Sequence, residues 1–408
     1  MSESRRSLRA RRGTAAAVLL SAAALALAGC NSDNAPGSSV LAGDDPGSSA
    51  SSTPDAPPPV RLVFSVKKGA SDVPVDQAIW EKASHGTIES VAVTSPAGRL
   101  DGAVSADHAR WTASGRLEPG TSYTMRTVAK NADGTKVTRT SSFSTKALTL
   151  DEQTYPSVAP LAGETVGVGM PVIVTFDVPV TDKASFEKHM SVTSTPRQAG
   201  SWHWLSDNEA HWRPKTYWKA GTDVHVDVDV NSIPAGNGVF GQESRQLDFH
   251  VGDAHVYKVN AQTHQMKVYS NGKLLRTIPI TTGKPGFTTR SGVKVIIEKF
   301  ASKRMNSETV GIRGAEAYNI DDVKWAMRLT YSGEFIHAAP WSVGSQGYAN
   351  VSHGCTGMST ENAGWLYAMS RRGDVVEYVG TDKPMTLDNG YGDWNESFKQ
   401  YEQGSALS

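Results

Sequence analysis

Cysteine is almost missing from this chain: two residues, Cys30 and Cys355, in 408. Two thiols exclude a disulfide-stapled framework and a cysteine-rich zinc site. An excess of charge is missing too. With 41 basic and 41 acidic residues, no basic face for nucleic acid is expected. No apolar run reaches the roughly 20 residues that span a bilayer. What the chain does have is turn-formers, 38 Gly and 20 Pro, and enough hydrophobic residues (38%) to fill cores. Its length suggests two or three domains.

The N-terminus reads as an export signal over residues 1–29. Arg5, Arg6, Arg9, Arg11 and Arg12 precede a small apolar run, 15–28, broken only by Ser21. The run ends Leu27-Ala28-Gly29-Cys30, which resembles a bacterial lipobox and makes Cys30 the expected lipidation site. Cleavage there leaves 36 basic and 40 acidic side chains, a net charge of −4. Membrane attachment would then come from the acyl chains, at about 0.8 kcal/mol per buried CH₂. Residues 30–59 are rich in Pro, Gly and Ser and poor in large apolar side chains, so they read as a disordered tether. The expected location is the outer face of the bacterial cytoplasmic membrane.

Short alternating runs split by turn residues follow. Residues 61–66, 89–94 and 122–129 read as strands, and Asn131-Ala132-Asp133-Gly134 as a hairpin turn, giving a β-sandwich over 60–148. The pattern recurs over 149–252. Residues 172–176 form one strand, and 223–230 alternate Asp or His with Val, as a half-buried strand does. Trp202, Trp204, Trp212 and Trp218 fit either a glycan-stacking platform or, more simply, a sandwich core. His203, His211 and His225 lack metal-ligand spacing, and no metal or other cofactor is assigned.

A third β-rich domain is expected over 253–380, with strands at 256–259, 265–269, 274–280, 293–297, 326–331 and 334–337. One helix is predicted over 360–372, capped by Ser359 or Thr360. Just before it lies Ser352-His353-Gly354-Cys355. With Cys30 lipidated, Cys355 has no intrachain partner. A free thiol is a liability in an oxidising envelope, so its presence implies burial or use. The polar, Gly-flanked turn weighs against burial. A turn feeding a helix N-terminus favours a thiolate. His337, at a strand end, is a better base than His353, whose ring is expected to point away from the thiol.

His337, fourteen residues, then Ser-His-Gly-Cys resembles the signature of the YkuD-type L,D-transpeptidases. The resemblance extends to 331–344, to Met305-Asn306-Ser307 and to Gly392-Asp393-Trp394-Asn395, and to the layout of actinobacterial lipoprotein members with two immunoglobulin-like domains. It implies a mainly β fold: two immunoglobulin-like β-sandwiches, then a YkuD-type β-rich catalytic domain with one main helix. Residues 381–408 would form a C-terminal latch against the second sandwich.

The implied activity is peptidoglycan 3→3 cross-linking through a cysteine thioacyl-enzyme, with D-Ala released from a tetrapeptide donor stem. The implied partners are the donor and acceptor stem peptides. Cys355 would attack, His337 would act as base, and the Ala338 carbonyl would orient that histidine. Backbone N–H groups of His353, Gly354 and Cys355 would form the oxyanion hole. Met305, Tyr318, Trp341 and Ser352 would contact substrate, with 300–325 as a lid. Carbapenem β-lactams would acylate the thiol. One position departs: the family Asn two residues after the cysteine is Gly357, which contributes flexibility and no side-chain bond.

Overall fold

The computed structural model describes residues 57–408. The export signal, Cys30 and most of the tether lie outside the described residues. The fold is mainly β, with two immunoglobulin-like sandwiches followed by a β-rich catalytic domain.

In the first sandwich a four-stranded sheet (Arg61–Phe64, Trp80–Ser84, Arg110–Ala113, Gly102–Val104) faces a five-stranded one built around Ser122–Lys130 and Lys136–Thr145. Trp111, Ile88, Val93 and Met125 fill the space between them. In the second, Pro156–Ala159, Val172–Phe176, Glu209–Pro214 and Gly200–Trp204 form one sheet. Asp223–Val228, flanked by Met190–Thr195 and Arg245–Val251, is central in the other. The alternation of that strand works as physics requires: Val224, Val226 and Val228 are buried. It ends two residues before the expected 230, and just beyond its end the Asp229 carboxylate pairs with Arg116 of the first sandwich. All four tryptophans are core, which removes the stacking-platform alternative; Trp212 stacks on Trp218 with centroids 5.3 Å apart.

The two sandwiches touch through polar groups. Besides Arg116–Asp229, Ser232 Oγ donates to the Leu117 carbonyl at 2.6 Å, and Asn231 Nδ2 to Glu118 at 2.7 Å. The next joint is different in kind. The core of the second sandwich continues into Val295, Ile297, Val375 and Tyr391 of the domain that follows.

Strands in that domain are numbered from its start: β1 (His255–Asn260), β2 (Gln265–Ser270), β3 (Lys273–Pro279), β4 (Gly292–Val295), β5 (Glu298–Asn306), β6 (Asn319–Arg328), β7 (Phe335–Ala338), β8 (Thr356–Met358) and β9 (Val375–Val379). One sheet runs β3-β2-β1-β9-β4 and the other β5-β6-β7-β8. Helix α1 (Thr360–Met369) packs Ala363 and Leu366 between them. Ser359 caps it by accepting the Asn362 N–H. The helix stops three residues before the predicted Arg372, because Ser370 turns extended and the Arg371 N–H is taken by the Asp374 carboxylate at 2.7 Å.

Residues 381–408 lie across both the second sandwich and the catalytic domain. Trp394 Nε1 donates to the Gly169 carbonyl at 2.8 Å. The Asn395 amide brackets the Val293 backbone, accepting from its N–H and donating to its carbonyl. The buried Arg213 guanidinium lies against the rings of Trp394, Phe398 and Tyr401.

Candidate active site

Parallel pairing of β7 with β8 sets His337 opposite Gly357 and Ile336 opposite Thr356. Cys355 thus stands at the entry of β8 beside the histidine strand. Its predecessor Gly354 has φ 121°, a conformation that a Cβ would strain. Ser352 holds the loop: its hydroxyl donates to the Cys355 carbonyl at 2.6 Å and accepts the Gly354 N–H at 3.1 Å.

One cleft collects Met305, Tyr318, His337, Trp341, Ser352, His353 and Cys355, with Thr281 and Gly357 also in its wall. A second cavity, lined by Lys303, Asn306, Arg328 and Phe335, shares Met305, Tyr318 and Cys355 with the first. The sulfur is therefore reached from two sides of one cover. That cover is the β5–β6 hairpin, whose tip carries two 3₁₀ turns, Ser307–Val310 and Gly314–Glu316. Glu316 ties the tip down, meeting Lys284 Nζ at 2.6 Å and His353 Nε2 at 2.7 Å.

The His337 ring meets the Ala338 carbonyl oxygen through Nδ1 at 2.7 Å. A carbonyl can only accept, so Nδ1 carries the proton and Nε2 is left as the basic nitrogen. Burial lowers the histidine's pKa, so the ring rests neutral. The rim Trp341 stacks against it at 5.9 Å.

Four expectations change here. Cys355 is buried, although its turn is polar, because Met305, Val323, Ala326 and Phe335 pack over it from β5–β7. No helix dipole serves it directly, since β8 and the Ser359 cap separate it from α1. Burial pushes its pKa up to about 12, with the nearby Phe335 N–H pulling the other way. The resting sulfur is a thiol, donating to the Gly333 carbonyl at 3.6 Å. The Gly354 N–H is engaged by Ser352, while among the described residues those of His353 and Cys355 make no hydrogen bond.

Gly357 is also not a point of flexibility. A Cβ there would stand 2.9 Å from the Ala339 Cβ and 3.0 Å from the Thr281 methyl. The position is small because two walls meet at it. Gly357→Asn is expected to lower stability by about 1–3 kcal/mol through overpacking, without speeding acylation of Cys355. Denaturant melts and adduct kinetics on the purified variant check this; a faster, equally stable variant would contradict it.

Sequence reasoning missed Thr281, Glu316 and a buried ion pair near the sulfur, Glu334 with Lys294, which the half-buried Arg290 joins. A lysine inside the apolar run Val293-Lys294-Val295-Ile296-Ile297 was the available signal.

Residues 254–377 match the YkuD L,D-transpeptidase catalytic domain, and residues 70–234 a bacterial Ig domain that spans parts of both sandwiches. L,D-transpeptidase 2 of Mycobacterium tuberculosis is 34% identical over 403 residues, covering 98% of this chain and 96% of its own. This chain is an L,D-transpeptidase. A second relative, L,D-transpeptidase 5 of the same species, is 34% identical over 86% of this chain and 78% of its own. A solved L,D-transpeptidase in complex with imipenem is 37% identical, covering 55% of this chain and 97% of its own, with TM-score 0.49. As an L,D-transpeptidase the protein is a transferase enzyme, of a family that acts on peptidoglycan stem peptides.

Proposed function

We propose that this L,D-transpeptidase forms 3→3 cross-links by a cysteine thioacyl mechanism, releasing D-Ala from a tetrapeptide donor. The observation that carries the reading is one sulfur beside a tautomer-fixed histidine, open to two cavities under one lid. Two approaches suit two stems, one to acylate and one to resolve.

The resting pair is thiol and neutral imidazole, so proton transfer accompanies attack. His337 Nε2 takes the thiol proton as Sγ bonds to the carbonyl of the third stem residue. The amide N–H groups of His353 and Cys355 receive the oxyanion. The imidazolium then protonates the departing D-Ala amine, leaving the thioester. An amine from a second stem attacks that thioester, gives its proton to His337, and frees the thiol.

The test is mass spectrometry of purified enzyme with a disaccharide-tetrapeptide. A cross-linked dimer with loss of D-Ala is expected. A tripeptide alone would make the enzyme a hydrolase, and no change would remove the activity.

Anchoring at Cys30 on the outer face of the bacterial cytoplasmic membrane is part of the same proposal, supported by the lipobox-like Leu27-Ala28-Gly29-Cys30. Cys30→Ala should move the protein from the membrane to the soluble envelope fraction; unchanged membrane association would refute the anchor.

A further inference from the structure

Among the described residues, Glu334 stands out as a buried acid that the steps above do not use. Every polar group it owns is engaged. Its N–H donates to Thr330 Oγ1 at 2.9 Å, and its carbonyl accepts the Leu329 N–H at 2.9 Å. One carboxylate oxygen takes the Arg290 backbone N–H at 3.1 Å and the Arg290 guanidinium at 2.8 Å. The other meets the ammonium of Lys294, a fully buried side chain.

The position of this residue matters more than its satisfaction. The Cys355 thiol donates to the carbonyl of Gly333, immediately before Glu334. The N–H of Phe335, immediately after it, faces the same sulfur. The network also returns to the far side of the nucleophile. Lys294 Nζ lies 3.7 Å from the Tyr378 ring centre, and the Tyr378 hydroxyl bonds Thr356 Oγ1 at 2.6 Å. Thr356 follows Cys355. A chain of contacts therefore runs from the backbone that cradles the sulfur, through Glu334, Lys294 and Tyr378, to the residue after the cysteine.

A buried ion pair is a poor source of stability by itself, since desolvation cancels much of its attraction and apolar residues of equal volume often do as well. What such a network supplies is fixed geometry. The geometry points to Glu334 as a positioning residue: clamped by Arg290 and Lys294, it holds the Gly333–Phe335 backbone against Cys355 Sγ and sets where the nucleophile sits. This rests on the reading of Cys355 as the acylated residue. The charged and titratable groups facing the sulfur are Glu334, Lys294, Arg328, Tyr318 and Tyr378, with the base His337 in the same cleft. Of these, Glu334 is the carboxylate.

Glu334→Gln keeps the shape and removes the charge. Two rates are read on the full-length protein by mass spectrometry: iodoacetamide alkylation of Cys355 against pH, and acylation by a carbapenem at fixed pH. With the neighbouring anion gone, the alkylation midpoint should fall by on the order of one pH unit. Acylation should nevertheless slow about tenfold, because a sulfur no longer held in place is misaligned for attack. A merely structural role moves neither at unchanged melting temperature. If Glu334→Gln is unstable with Lys294 left unpaired, the double variant Lys294→Met with Glu334→Gln removes the orphaned ammonium and should show the same slow acylation. Native acylation rate and native pH midpoint in a folded variant overturn the inference. Acylation persisting in Cys355→Ala instead overturns the nucleophile itself.

Discussion

A carbapenem will add one molar equivalent to the native protein, at Cys355, with the whole mass of the drug retained. The lactam C–N bond breaks, a C–S thioester bond forms, and the thiol proton ends on the lactam nitrogen by way of His337. Cys355→Ala should form no adduct. His337→Ala should acylate about 10²–10⁴-fold more slowly. The size of that loss follows from the sulfur's environment. With its pKa pushed up to about 12 by burial, the sulfur is a thiol at pH 7. The base is therefore indispensable to the rate. The pH profile has a definite sign as well. His337 is held below its ordinary pKa of 6.5 by burial, so the ring stays neutral into mildly acidic solution. The acylation rate should hold constant as pH falls through 6.5 and drop only at lower pH. A decline centred at 6.5 or above would place the base elsewhere.

Asp393→Ala will be the most destabilising single change outside the active site, at about 3–5 kcal/mol. Asp393 is fully buried on the C-terminal segment. It accepts from Tyr401 Oη and from His211 Nδ1, both at 2.9 Å. Burial alone would lower the pKa of His211, but the Asp393 and Glu209 carboxylates overcome it and raise the value to about 9. A histidine with a raised native pKa stabilises the fold fully below its unfolded value near 6.5. That contribution is lost as pH climbs through 9, and it amounts to roughly 3 kcal/mol. Asp393 is shifted the other way: burial opposes its charge, His211 outweighs burial, and the net pKa is lowered. Its stabilisation is present above pH 3.8 and lost as pH falls. Denaturant unfolding at several pH values should show native stability declining between pH 6.5 and 9. In Asp393→Ala that decline should be much reduced. A variant as stable as the native protein would show that the latch carries no load.

Strands were readable where one face is buried and the other wet, because alternation records the two environments directly, as in 223–228; 172–176, buried on both faces, was readable instead as a short continuous apolar run. That His337 and Cys355 line one cleft was readable because the spacing of a short motif encodes one parallel strand pair. What sequence could not carry was contact between distant segments. Cys355 looked exposed from its neighbours in the chain, yet it is covered by residues about 20 to 50 positions upstream. Lys294 and Glu334 lie 40 positions apart in the chain, and nothing in the sequence joins them; they are internal because each supplies the other's partner. Gly357 looked like a missing side chain, and is instead the place where Ala339 and Thr281 converge.

The unequal joints between the three domains bear on how such a chain changes through descent. Among the described residues, the first sandwich meets the second through a few hydrogen bonds and two ion pairs, Arg116–Asp229 and Lys146–Glu152. A gene could lose, duplicate or exchange that module with few interior contacts of the remainder disturbed, the buried Ser232 hydroxyl being one that loses its partner. The second sandwich shares Val295, Ile297, Val375 and Tyr391 with the catalytic domain and is bound to it again by residues 393–401. Deleting it would strip apolar surface bare on β4 and β9 of the catalytic domain. By these contacts the second sandwich and the catalytic domain make one piece for any exchange of modules, and the first sandwich is the separable one.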